Sequence, residues 1–403
     1  MAYILFVNPS VLSETGMDKG ALITATALAS MIGTLLAGLW ARVPFAMAPG
    51  MGLNAFFTYT LVLSEGLSWQ TALAVVFLSG VLFLVLTLVG FREKVAEVIP
   101  DSIKLACAGG IGLFISFIGF KNLGLIVDSP ATLLTMGTFT PEVLIGLGGF
   151  LLILLLEAAE VKGSILIGIL VATAISIFMG LAPMPDRWVD TPPSLAPIAL
   201  KLDLSAVLQL SLLGPILSFM FVDLLDSIGT IVACSHEAKL VQPDGKIKRM
   251  GKVLTIDALA TTIGALLGTS TTTTYIESGS GIAAGARTGL SSVFTALFFF
   301  IALFFAPVIG IVPAYATAPA LIMVGIYMLK YIQNIRFDLL EEAVPAFLTL
   351  LLMPLAHSIS TGLSFGFISY ILLMAAKGKA RDISPVLWFI GLLALVNLLA
   401  RGH

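Results

Sequence analysis

Between Leu267 and Gly289 the chain reads LGTSTTTTYIESGSGIAAGARTG, a polar stretch set among long apolar runs with a carboxylate, Glu277, near its middle. No ordinary membrane helix has this composition. Six consecutive hydroxyl residues, Thr269 to Thr274, are mostly β-branched and favour extended backbone. From Ser278 to Gly289 the residues are largely Gly, Ala and Ser, which let a helix approach its neighbours closely. The pattern predicts a short extended piece leading into a half-helix. At bilayer depth such a break survives only where protein or a water-filled cavity satisfies its backbone, and broken spans of this kind are where transporters bind substrate.

The surroundings fix the solvent. Over 403 residues 58% are hydrophobic and 11% charged, and the mean hydropathy is +1.07, outside the range of soluble domains. Apolar runs of spanning length recur throughout, leaving no room for a separate soluble domain. Cys107 and Cys234 sit in or next to apolar runs and read as buried, inert thiols. The three histidines (His236, His357, His403) form no HExxH, and neither a Walker-type loop nor a paired CxxC occurs. ATP hydrolysis and zinc chemistry are therefore unsupported, and no cofactor, metal or nucleic-acid partner is expected. The net charge of −2 does not discriminate among partners.

Taken in order, MAYILFVNPSVL offers few apolar residues before Asn8 and Pro9, too short to span, and reads as half a helix or an interfacial one. Gly20 to Trp40 is a full span. Val43 to Phe57 contains Pro44, Pro49, Gly50 and Gly52 and is a second interrupted span. Regular spans follow at 69–91 and 103–125, the latter with AGGIG at Ala108 to Gly112 suited to tight helix contact, then at 142–158 and 164–181. Beyond a Pro-rich connection come segments at 205–234 and 252–267, the Thr-rich break, and four more at 288–312, 315–331, 339–355 and 360–376, with an extra apolar piece at 385–400.

The expected architecture is an all-α polytopic membrane protein of about 14 segments, with short β-strands at the broken segments three and ten. Each break is the third member of a group of seven. An odd number per half requires opposite insertion, the inverted-repeat plan of many secondary transporters. The expected division is a first repeat at 1–182, an extracytoplasmic linker at 183–204, a second repeat at 205–377 and a C-terminal apolar helix at 378–403. With the N-terminus in the cytoplasm, only Lys19, Lys121, Arg187, Lys201 and Arg401 of the 21 Lys and Arg fall outside, as the positive-inside rule requires. The four tryptophans (Trp40, Trp69, Trp188, Trp388) fall at or near span ends.

Five stretches carry a resemblance: FVNP at Phe6 to Pro9, APGMGLNAFF at Ala48 to Phe57, FVDLLDSIGT at Phe221 to Thr230, GTSTTTTYIESGSGIAAGARTG at Gly268 to Gly289, and TAPALIMVG at Thr317 to Gly325. Together they resemble the AzgA-type purine permeases of the nucleobase/cation symporter (nucleobase/ascorbate transporter) family. The resemblance implies fourteen segments in two inverted halves, arranged as a core and a gate domain. It implies proton-coupled import of adenine, guanine or hypoxanthine across the cell (inner) membrane, and by analogy a homodimer. It also places Met1 inside the family's first helix. Relatives that carry uracil or xanthine often have a His one turn after the eighth-segment carboxylate; Thr230 stands here, so coupling must rest on carboxylates.

A purine needs acceptors opposite its N–H donors and flat apolar surface for its faces. The resemblance places Glu277 and Asp226 at the family's carboxylate positions on segments ten and eight. A carboxylate at membrane depth is costly and usually functional, whereas Thr and Ser hydroxyls more often bond back to the backbone. Asp226, Glu277 and Asp223 are the candidates for proton coupling, and Asp257 is expected to orient the tenth segment. Asn54, Gly52 and Met51 lie on the third segment's break, and Thr273, Thr274 and Tyr275 on the tenth's. The half-helices beginning there would aim N–H groups at the ligand. Phe221 and Phe56 are candidates for the ring face, against the plainer expectation that a Phe packs in the core. Glu341 and Glu342 read as helix-dipole partners and Arg287 as an interfacial anchor. The rival readings are an anion exchanger of similar architecture, which would want cations where this chain has two carboxylates, a channel, and a membrane enzyme, for which no nucleophile with a positioned base is found.

Overall fold

The computed structural model describes residues 1–89, 98–207, 212–242 and 247–401. Arg92, Lys94, Lys246 and His403, and the 208–211 portion of the eighth segment, lie outside the described residues. In chain order the first half comprises α1 (Ile4–Ser13), α2 (Lys19–Leu36), β1 (Met47–Pro49), α3 (Met51–Ala55), α4 (Trp69–Leu88), α5 (Asp101–Asn122), β2 (Ile126–Ser129), β3 (Leu133–Met136), α6 (Pro141–Ala158) and α7 (Ser164–Phe178). The second comprises α8 (Leu213–Glu237), α9 (Met250–Leu267), β4 (Thr272–Thr274), α10 (Ser278–Ala283), α11 (Leu290–Ala302), α12 (Ala314–Leu329), α13 (Leu340–Leu355), α14 (Ile359–Ala376) and the terminal α15 (Pro385–Arg401). α3 runs on in wider π-type turns to Ser64. Among the described residues nine helices are long and apolar enough to cross a membrane; α1, α3 with its extension, and α7 are shorter apolar helices.

The helices pack in two groups. α2 packs against α1, α9 and α11, and α4 against α8 and α9, forming the core around the two strands. α5 packs against α12, α13 and α14, with α6, α7 and α12 in mutual contact, forming the gate. The expected small-residue contact lies here: a Cβ on Gly112 of α5 would stand 2.8 Å from the carbonyl oxygen of Gly325 on α12, so the two backbones touch directly.

Both interrupted segments pass through the centre of the core. β1 and β4 pair antiparallel, with Met47 opposite Thr274, Ala48 opposite Thr273 and Pro49 opposite Thr272. The ladder is extended by Tyr275 N–H to the Ala46 carbonyl (2.9 Å) and Gly50 N–H to the Thr271 carbonyl (3.0 Å). Side chains satisfy much of the rest: the Thr34 hydroxyl both accepts from Met47 N–H and donates to its carbonyl, the Ser278 hydroxyl accepts from Ala46 N–H, and Thr261 donates to the Thr272 carbonyl. This is how non-helical backbone survives at such depth.

α1 is not interfacial. Ile4, Val7, Asn8 and Leu12 are fully buried, and the helix continues through Pro9 against α2. Asn8 Nδ2 donates to Thr26 Oγ1 on α2 (2.6 Å) and Thr269 Oγ1 on segment ten (3.0 Å), tying α1 to the break. The connection after α7 lies over the core helices: the Pro193 carbonyl accepts from Thr24, Asp190 N–H donates to the Phe304 carbonyl, and Leu200 N–H donates to the Leu266 carbonyl. The β2–β3 hairpin, largely exposed, was not anticipated.

Candidate substrate site between core and gate

A cavity of about 100 Å³ opens where the two half-helices begin. The core supplies Tyr3 from α1, Gly50, Met51 and Gly52 from the third segment, Asp226 and Thr230 from α8, and Thr273 to Glu277 from the tenth. The gate supplies Val324, Tyr327 and Met328 of α12, with Lys330 and Tyr331 just beyond it. A second cavity of about 240 Å³ shares Asp226, Thr230, Met328 and Tyr331 and extends past Cys107 to Lys104 near the start of α5. The two form one hollow reaching toward that end of the molecule.

Local sequence explains the geometry. Gly50 is extended just before α3, and Gly50, Met51 and Gly52 line the cavity, so the start of the helix, where N–H groups lack intrahelical partners, stands at its edge. Gly52 is required by the close approach of the gate: a Cβ there would stand 2.6 Å from Ile111 Cγ2 on α5. Glu277 immediately precedes α10, and its carboxylate accepts a 2.5 Å hydrogen bond from the Tyr3 hydroxyl. The Tyr275 hydroxyl donates across the strands to the Pro49 carbonyl.

Of the residues expected from sequence, Glu277, Asp226, Met51, Gly52, Thr273, Thr274 and Tyr275 come together around this hollow. Asn54 lies behind it, fully buried, with Oδ1 accepting from the Ser270 hydroxyl across the two breaks. Asp257 Oδ1 accepts from Thr274 N–H at 3.3 Å, holding β4 from behind. Asp223 is buried and borders none of the described cavities. Phe221 is turned away: it borders a separate small cavity with Ser218, Ser360 and Phe367. Phe56 stacks on Phe219 in the core, ring centroids 5.4 Å apart. The aromatic surface facing the hollow comes instead from Tyr3, Tyr275, Tyr327 and Tyr331. Tyr275 was expected from the sequence; Tyr3, Tyr327 and Tyr331 were not, since Tyr3 precedes a helix with few apolar residues and the other two follow the TAPALIMVG stretch.

Elsewhere, the exposed Arg287 donates to the carbonyls of Ile282 and Ala286 at the end of α10. Glu341 pairs with Lys377 and Glu342 with Arg336. At the far end of the core–gate seam, Glu14 after α1 accepts from Tyr59 (2.8 Å) and from Asn122 at the end of α5 (3.3 Å). Burial raises the Glu14 carboxyl above its ordinary range, while these two hydrogen bonds and Lys121 pull it back. Thr60 donates to the His357 carbonyl at the same end. Both cysteines are buried and unpaired, and among the described residues no cluster of His, Cys, Asp or Glu is placed to hold a metal.

Two interrupted segments paired at the centre of the core, facing a gate, define a membrane fold built from inverted repeats. The structure is similar to the transmembrane domain of the cyanobacterium bicarbonate transporter BicA (TM-score 0.67, 16% identity, covering 88% of this chain and 94% of that one). The sequence profile of the Permease family, Xan_ur_permease, matches residues 1–376, and the chain belongs to that family. It is similar to the guanine/hypoxanthine permease PbuG of Bacillus subtilis, 44% identical over 96% of this chain and 91% of the relative. It is also similar to the adenine permease AdeP of Escherichia coli, 39% identical over 99% and 89%. The protein is therefore a multi-pass membrane permease and not an enzyme.

Proposed function

We propose that this permease imports purine nucleobases, adenine, guanine or hypoxanthine, across the cell membrane by proton symport, with the gate moving against the core to expose the site alternately to either side. The observation that carries the reading is the convergence of Asp226 and Glu277, from segments eight and ten, on one hollow lined by four tyrosines and by the start of α3. Paired acceptors suit the N–H edge of a purine, and the rings suit its faces. The same acceptors oppose an anion, although carriers of anions share the fold. The similarity to a guanine/hypoxanthine permease and an adenine permease supports the substrate class.

In this reading Asp226 or Glu277 carries the proton, taking it up on the outer side and losing it inside, with substrate affinity depending on its charge. Asp223 lies three residues before Asp226 on α8 and is a coupling candidate; Asp257 supports the strand. The first helix enters from the cytoplasmic side in this reading, and the hollow running toward Lys104 then opens to the cytoplasm. A homodimer through the gate helices belongs to the same proposal.

Reconstituted protein tests the reading. Radiolabelled adenine, guanine and hypoxanthine should enter proteoliposomes faster with an inward proton gradient, slow on adding a protonophore, and exchange in counterflow with internal unlabelled purine. Uptake indifferent to both gradient and protonophore would remove proton coupling, and absence of counterflow would remove the carrier.

A further inference from the structure

The carboxylate at the start of α10 is not left to find its own orientation. Glu277 is half-buried at the junction of a strand and a six-residue helix, and its side chain has three free torsions. Among the described residues its one recorded hydrogen-bond donor is Tyr3, which belongs neither to the strand pair nor to the gate. Tyr3 itself is 3% exposed and stands just ahead of α1, between buried Ile4 and the cavity. α1 is in turn fixed by Asn8, whose amide donates to α2 and to Thr269. Segment ten is thus tied to α1 at both ends of its extended stretch, at Thr269 and at Glu277, and only the second tie faces the hollow.

We propose that Tyr3 is a positioning residue for substrate binding: its hydroxyl holds Oε1 of Glu277 and so presents Oε2 to an N–H of the bound purine. This rests on the purine reading above and adds to it a third element, α1, as part of the recognition apparatus. The physical reason is preorganisation. A carboxylate already held in its bound rotamer loses no torsional freedom when the ligand arrives, so affinity falls when the holding bond is removed even though Tyr3 leaves the acceptor itself intact. The hydroxyl's one O–H is engaged as a donor to Glu277 and offers the cavity only lone pairs, so the edge formed by Tyr3 and Glu277 accepts donors and rejects a ligand acceptor placed against it.

The test is a binding and transport cycle on the full-length chain with Tyr3→Phe, which removes one oxygen, and Glu277→Asp, which keeps the charge but shortens the reach. Tyr3→Phe should raise the purine Kd and KM on the order of tenfold while leaving Vmax and the ligand-free melting temperature close to wild type. Combined with Glu277→Asp it should add no more than about twofold to the loss seen with Glu277→Asp alone, because the shortened carboxylate no longer meets the hydroxyl. Wild-type affinity in Tyr3→Phe, or losses that simply multiply in the double variant, would overturn the proposal. Failure of Tyr3→Phe to fold, or early melting with an unchanged KM, would show a structural role and overturn it as well. If the wild-type protein binds no purine, the substrate reading fails first and the proposal with it.

Discussion

The breaks in segments three and ten share a backbone plan and divide the chemistry between them. Both place a three-residue strand ahead of a helix start, and the strands pair residue for residue. The third segment then continues for fourteen residues, from Met51 to Ser64, and reaches the far end of the seam, where Tyr59 meets Glu14 and Asn122. It brings no ionisable side chain to the hollow, only Gly50, Met51 and Gly52. The tenth stops after six helical residues and carries Glu277, the hydroxyl ladder and Tyr275. Duplication of the fold supplies a symmetric pair of helix ends. In the proposed reading, selectivity comes from the side on which the symmetry is broken, a short helix that carries Glu277 at its start and a long one that links the site to the seam.

If that division is right, the largest effect belongs to the tenth break. Glu277→Gln should cost on the order of 100-fold in purine affinity, since an acceptor facing a ligand N–H becomes a mixed group in a partly buried site. Asp226→Asn should weaken binding roughly tenfold and, if it carries the proton, flatten the dependence of uptake on external pH. Equilibrium binding and gradient-driven uptake check both.

The third break should respond in rate rather than in affinity. Gly52→Ala introduces a Cβ 2.6 Å from Ile111 on the gate, so transport should slow several-fold with purine Kd changed by less than about threefold, because the contact is with a moving neighbour and not with ligand. Single-turnover efflux against equilibrium binding separates the two quantities. A larger loss of affinity than of rate would mean that the third break also recognises substrate.

The smallest effect lies at the distal end of the third segment. The Glu14 carboxyl is raised by burial, so its ionised form costs folding free energy above the folded-state value, and that cost disappears below the ordinary Glu value of about 4.3. Glu14→Gln keeps an acceptor for Tyr59 without the charge. It should melt higher than wild type at pH 8, by roughly 2 °C or less given partial exposure, and match wild type near pH 4. A lower melting temperature at pH 8 would mean that the charged hydrogen bonds outweigh the burial.

The same contrast explains what could be read from the chain alone. Breaks announce themselves locally: Pro44, Pro49 and Gly50 cannot sit inside a helix comfortably, and a run of β-branched Thr prefers a strand, so both interruptions and their meeting were legible. Intramembrane carboxylates are conspicuous for the same reason, and Glu277 and Asp226 both face the hollow. What faces a cavity from an apolar helix is set by packing that leaves no periodic mark. Phe221 and Phe56 were therefore named for the ring face and Tyr327 and Tyr331 were not, yet of these four only the tyrosines border the hollow. Asn54 resembled a ligand-facing amide and instead accepts from Ser270 behind the strands. Tyr3 was hidden because its helix carries too few apolar residues to look like a span, although surrounding protein buries it on all sides.

The most direct measurement is binding of radiolabelled hypoxanthine, guanine and adenine to purified wild type, Glu277→Gln and Asp226→Asn, each shown by its melting curve to be folded. A site built on carboxylates from both α8 and the tenth segment predicts saturable binding by wild type of at least one purine, weakened in each variant. Saturable binding that survives both substitutions at wild-type affinity would place the purine somewhere other than this hollow and contradict the account.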